Sequence, residues 1–272
     1  MEIQEIIKES FIFPSQNLEK LVVYIVLTFV IGLLLVGGLF SMLFALTDAA
    51  LIAVIGVILL IVALIIELIL SGYQIDIIWS GIEFEEEAPA FDWKNNLKVG
   101  IKDLILGIVY FIVPAIIVLI VAFLLNIPRQ IIGIAQQSAV TSVNATTAVS
   151  TIPQATVSAL GTSFVITFIV AVILFILFAF IHTMGESRLA KTDSLTEGIN
   201  IIEAFKDIGR IGAGKVIAVI LLVIIISMVI TGILGFIYGF IPQLSILSIF
   251  VTPYLAFFNR RAIGLLYSEI VY

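Results

Sequence analysis

Cysteine is absent from the chain and histidine occurs once. No disulfide, thiolate metal site or Cys–His catalytic pair is therefore available, and a histidine-rich metal centre cannot be assembled. Charge is scarce as well: Asp, Glu, Lys and Arg make up 12% of the residues, against about 25% in a soluble domain. With a net charge of −6 and no long basic run, the sequence does not read as a nucleic-acid binder. Nor does it hold a phosphate-cradling loop. Gly209-Arg-Ile-Gly-Ala-Gly-Lys215 has glycines and a lysine, but neither the required spacing nor a preceding strand. We expect no catalytic residues, no cofactor and no metal.

What the chain does have is oil. Hydrophobic residues account for 62% of its 272 positions, and the mean hydropathy is +1.28. Such a chain cannot cover itself with polar surface in water, so its solvent is a bilayer. A hydrocarbon core about 30 Å thick needs about 20 apolar residues of helix, because a helix satisfies its own backbone polar groups. Uncharged runs predict spans at about 21–46, 50–79, 102–125 and 162–185. The last run is too long for one helix, and Gly239 with Pro242-Gln243 marks a hairpin inside it, which gives spans at about 215–239 and 244–262. The expected fold is all-α: a polytopic bundle of six transmembrane helices forming a single membrane domain, with amphipathic in-plane helices on the cytoplasmic side.

With the N-terminus inside, all 13 Lys and Arg residues except Arg129 fall on one face. The positive-inside bias then places both termini in the cytoplasm. The first nine residues carry Glu2, Glu5 and Glu9 against Lys8, which is not the basic start of a cleaved signal.

Three stretches between or before the spans read as in-plane helices: about 1–12, 90–99 and 196–211. The clearest is the third. There Ile199, Ile202, Phe205, Ile208 and Ile211 recur every three residues, while Glu203, Lys206, Asp207 and Arg210 take the other side. Setting Gly100 against Gly212 aligns Trp93 with Phe205 and Lys98 with Arg210, the pattern of an internal duplication. The outer segment, about 126–161, is rich in Ser, Thr, Ala and Gln and reads as a solvated loop. Within it Asn144-Ala-Thr146 matches a glycosylation sequon.

Ionisable groups inside spans are expensive and usually paired. Glu67 is the carboxylate deepest in a span. His182 and the Arg260-Arg261 pair lie near the inner ends of theirs, so these four can meet at one depth. They read either as a proton or anion site, or as headgroup-level anchors. Glu83, Glu85, Glu86 and Glu87 lack the spaced ligands of a calcium loop and read as a solvated acidic stretch. Ser227 and Thr231, one turn apart, extend a polar stripe with Glu67, Ser71 and His182 that would suit a permease. Gly235 and Gly239 offer a small-residue face for helix packing.

One part of the sequence is distinctive. Ser71-Gly-Tyr-Gln-Ile-Asp-Ile-Ile-Trp79, the acidic stretch, Pro89-Ala-Phe-Asp-Trp93 and Gly100 together resemble the uncharacterised prokaryotic membrane proteins grouped as domain-of-unknown-function family 4013. The resemblance runs on to the Asn-Arg-Arg-Ala-Ile-Gly264 stretch. It implies a multi-span protein of the cell membrane and carries no activity or active site across. The expected function is non-enzymatic: the in-plane helices engage membrane lipids, a second copy or another membrane partner. A small-solute permease with its route near Glu67 and His182 is the alternative.

Overall fold

The computed structural model describes residues 1–45, 50–143 and 154–271, and every regular element among them is helical. In chain order these are α1 (Ile3–Gln16), α2 (Leu18–Ala45), α3 (Ala50–Ile82), α4 (Trp93–Leu124) and α5 (Ile127–Val143). There follow α6 (Gln154–Thr192), the single turn α7 (Leu195–Gly198), α8 (Ile201–Ile211), α9 (Ala213–Phe240) and α10 (Ser248–Tyr267). Short 3-10 segments cover Pro242–Leu247 and Ser268–Ile270. Five helices are long and apolar enough to cross a membrane: Leu18–Phe44, Ala50–Ile82, Trp93–Leu124, Val157–Thr192 and Ala213–Phe240. That is the architecture of a multi-pass membrane protein. The sixth expected span falls on the Pro242–Leu247 3-10 segment and α10, which is not among the five. Its C-terminal half is buried in protein and carries two arginines.

Residues 1–107 and 180–272 form one compact unit. Within it α10 packs against α1, α2, α3 and α9. The core sits toward the C-terminal half of α3, where Tyr73 stacks on Phe91 at 3.8 Å and Tyr24 meets Phe257 edge-on at 5.5 Å. Residues 108–179 form a second unit. In it Phe111 stacks on Phe175, and Gln130 donates to the Leu125 carbonyl at 2.9 Å.

Glycine sets how closely two helix pairs approach. A Cβ on Gly72 would lie 1.9 Å from the Asn96 carbonyl oxygen, and one on Gly100 would lie 1.8 Å from that of Leu68. The α3 and α4 backbones therefore touch at this crossing. Likewise a Cβ on Gly264 would lie 2.2 Å from the Ile78 oxygen, and one on Gly81 2.8 Å from the Gly264 Cα.

Several sequence expectations need correction. The in-plane helix at 90–99 is not a separate element but the opening turns of α4, which continues unbroken to Leu124. Gly100 is spent on the close crossing with α3 rather than on a turn. Gly212, by contrast, does end α8, with φ at +104° where a side chain would be strained. The two glycines aligned by the proposed duplication thus do different work, and the alignment fails at that point. The outer segment is not one loop, since α5 covers Ile127–Val143 and α6 starts at Gln154. Pro128 sits in the first turn, where its missing N–H costs nothing, and good helix formers follow. Asn144 lies outside the described residues.

The N-terminal helix, expected over about 1–12, runs on through Pro14 and ends at Asn17. The Asn17 amide donates to the Phe13 carbonyl at 3.0 Å, and its oxygen accepts from the Ala88 N–H at 2.7 Å. This pins the acidic stretch onto the bundle. Tyr73 pins it again by donating to the Pro89 carbonyl at 3.0 Å.

Candidate functional site

Four helices of the first unit bring polar side chains to one place beside α10. His182 and Glu186 are four residues apart on α6 and so share a face; His182 Nδ1 and Glu186 Oε2 are 3.8 Å apart. The other Glu186 oxygen holds Arg260 Nη1 of α10 at 2.7 Å. Arg260 Nε donates to Gln74 of α3 at 2.8 Å, and the Gln74 amide donates to the Tyr24 hydroxyl of α2 at 2.6 Å. Asp103 of α4 accepts the Ser71 hydroxyl on Oδ2, while its Oδ1 is buried and accepts no hydrogen bond. One ligand atom each from Asp103, His182 and Glu186 lies within 4.8 Å of the others. A network of this kind inside an apolar bundle orients its members and restrains the helices that carry them.

A second constellation fixes α8. Asp207 is wholly buried: it accepts from Arg188 at 2.9 Å and from the Tyr267 hydroxyl at 2.9 Å on one oxygen, and from Arg210 at 2.6 Å on the other. The buried Tyr267 hydroxyl is the donor in its contact with Asp207. At the exposed surface of α8, Glu203 is held below the usual carboxylate range by Lys206, with Arg210 adding to the effect.

A third constellation ties the two ends of the chain together. The Met1 ammonium and Lys215 both pair with Glu269, and Lys215 also donates to the Met1 carbonyl at 2.6 Å. Those two cations hold the Glu269 carboxyl below its ordinary value.

Residues 55–240 match the family described as "Protein of unknown function (DUF4013)". The chain belongs to this family. No curated protein and no solved structure matches it. The DUF4013 match covers the Gly-Tyr and Pro-Ala-Phe-Asp pieces and stops before the Asn259–Gly264 stretch that also carried the resemblance. In this DUF4013 protein the network therefore draws on matched segments of α3, α4 and α6, whereas Tyr24 and Arg260 come from outside them.

Of the four intramembrane residues expected to cluster, the structure joins His182 and Arg260, through Glu186. Arg261 points elsewhere. Its guanidinium donates to the Ser80 and Glu85 carbonyls, each at 2.7 Å, and to Glu9 at 2.6 Å, and it sits 4.5 Å over the Phe13 ring. Glu67 is exposed on α3, and among the described residues no hydrogen bond or ion pair holds it. The Ser227–Thr231 stripe also separates: Ser227 bonds Asn259 at 3.1 Å, and Thr231 bonds its own helix backbone. Gly235 and Gly239 meet nothing within 4 Å.

Asp103 and Glu186 do not stand out in the sequence because they sit at span ends, where carboxylates count as flanking charge. The His182-x-x-x-Glu186 spacing was the one available signal. Asp207, whose spacing sets it on the polar side of its helix, is the buried anchor of that helix.

Proposed function

We propose that this is a non-enzymatic membrane protein whose α8 rests its apolar face on the cytoplasmic lipid surface. The observation that carries this is the direction of α8. Ile202 and Phe205 are 69% and 57% exposed, while Asp207, on the opposite face, is 0% exposed and anchored from α6 and the C-terminal segment. A soluble protein would turn that helix over. Lipid is the occupant that an outward apolar stripe flanked by Lys206 and Arg210 suits.

The reading includes six crossings, with α10 as the sixth, and both termini in the cytoplasm. Its support is the clasp of Met1, Lys215 and Glu269. Ends that meet on one face require an even number of crossings, and the positive-inside bias puts that face in the cytoplasm. Cell-membrane localisation and contact with a second copy or a membrane partner through the same face belong to this proposal.

Spin labels test it, and the absence of native cysteine makes every introduced one unique. In bilayers, a nitroxide on Ile202→Cys is expected to meet oxygen more readily than a water-soluble nickel chelate, with the reverse at Lys206→Cys. Equal, water-like exposure at both positions overturns the lipid contact.

The permease reading keeps one supporting observation, the polar network around Glu186, but it loses Glu67 and the Ser227–Thr231 stripe as lining. Its test is flux of a broad solute panel into vesicles containing the protein.

A further inference from the structure

We infer that Asp103, His182 and Glu186 form a binding site for a divalent transition-metal ion of the zinc or manganese kind. Three separate features of the cluster converge on this.

The first is spacing. The three ligand atoms lie within 4.8 Å of one another, and the His182–Glu186 pair is at 3.8 Å. Metal bonds of about 2.0–2.2 Å in tetrahedral geometry put ligand atoms about 3.4 Å apart. Small side-chain rotations therefore close the set around an ion.

The second is the division of labour within each carboxylate. Asp103 gives Oδ2 to the Ser71 hydroxyl and keeps Oδ1 buried, with no donor on it. Glu186 gives Oε1 to Arg260 and turns Oε2 to His182. Each carboxylate thus has one oxygen held by an orienting partner and one left without a hydrogen-bond donor or turned to His182, which is how outer partners fix metal ligands.

The third is charge. With His182 as the neutral imidazole that a metal requires, two carboxylates against the single Arg260 guanidinium leave one excess negative charge among largely buried groups. A bound cation removes that cost. The donors, one imidazole nitrogen and two carboxylate oxygens, suit zinc, manganese or ferrous iron. They lack the thiolate that copper(I) prefers, and a nitrogen is out of place for calcium or magnesium. Three protein ligands leave room for water or a small anion on the ion.

The test uses the full chain in detergent, stripped with a chelator and titrated calorimetrically with zinc chloride and with manganese chloride. Metal retained after desalting is counted by mass spectrometry. The expected result is one ion per chain for the wild type. Even removing an outer partner of a ligand costs about 10–100-fold, so Asp103→Asn and His182→Gln should each weaken binding by about 100-fold or more. Glu186→Gln is a poor probe because it also strands Arg260. His182→Gln leaves that ion pair intact, and its metal-free melting temperature reports whether it folds. Metal should raise the melting temperature of the wild type and leave that of His182→Gln unmoved. The inference fails if neither ion binds stoichiometrically. It also fails if a folded His182→Gln or Asp103→Asn variant binds as tightly as the wild type, which would leave His182 and its neighbours as a proton-balanced ion-pair network.

Discussion

Arg260 and Glu186 hold each other at 2.7 Å across two helices far apart in the chain, and the Glu186 side chain is only 5% exposed. Breaking such a pair from one side leaves a buried charge without its partner, which costs about 3–5 kcal/mol. Glu186→Gln should therefore lower stability by about 3 kcal/mol in detergent. The combination of Glu186→Leu with Arg260→Met should recover most of that loss. Urea or thermal melts of the two variants check both statements; equal losses would contradict the idea of a stranded cation.

The α3–α4 crossing should be the point least tolerant of a single methyl group. Gly72→Ala and Gly100→Ala each drive a Cβ into a backbone carbonyl, which cannot rotate away. Overpacking typically costs about 1–3 kcal/mol, and the upper end applies here. Gly232→Ala, where nothing lies within 4 Å, is the matched control and should be neutral. Comparison of melting temperatures decides the matter.

Loss of the α8 anchor should free that helix without unfolding the spans. Asp207→Asn removes the charge shared by Arg188 and Arg210 while Arg188 keeps its contacts with Glu197. Amide exchange in residues 201–211 should rise well above that in α9, and far-ultraviolet dichroism should stay close to the wild type. Unchanged exchange in α8 would show that other contacts hold it.

Acid should open the terminal clasp. The folded-state pKa of Glu269 lies below its ordinary value of 4.5, so its contribution is present above that value and is lost as pH falls through the depressed one. Wild-type melting temperature should drop as the pH goes from about 5 to about 3, more steeply than that of Glu269→Gln. At neutral pH the variant should already show the wild type's acid behaviour at its N-terminus, read as raised exchange in residues 1–10. Parallel pH profiles would remove Glu269 from the account.

Much of the helical plan could be read from hydropathy, because lipid imposes one rule on every span: length without charge. Three expected stretches coincide with helices to within a turn at both ends: 21–46 with α2 at 18–45, 50–79 with α3 at 50–82, and 215–239 with α9 at 213–240. Hydropathy says nothing about where helix continues past the oily run. That is why α4 was expected to begin near residue 102 when it begins at Trp93, and why α5 was hidden in a polar segment whose composition still favours helix. The side chains of the network divide in the same way. His182 and Arg260 stand out as rare charges near span ends, and their shared depth is a matter of counting turns. Asp103 and Glu186 look like ordinary flanking acids until tertiary contacts bury them. Arg261 illustrates the opposite failure: its neighbour in sequence joins one network and it joins another, because adjacent residues on a helix point about 100° apart.

The touching backbones at Gly72 and Gly100 also limit how the first unit can move. With no side chain between them to slide or change rotamer, α3 and α4 can tilt about this point but cannot ratchet past one another. Ser71 and Asp103 sit within one turn of that pivot, so their separation should hardly respond to tilting of either rod. Any working stroke in this protein must therefore reach the cluster from the α6 or α10 side, where the partners of Glu186 are carried.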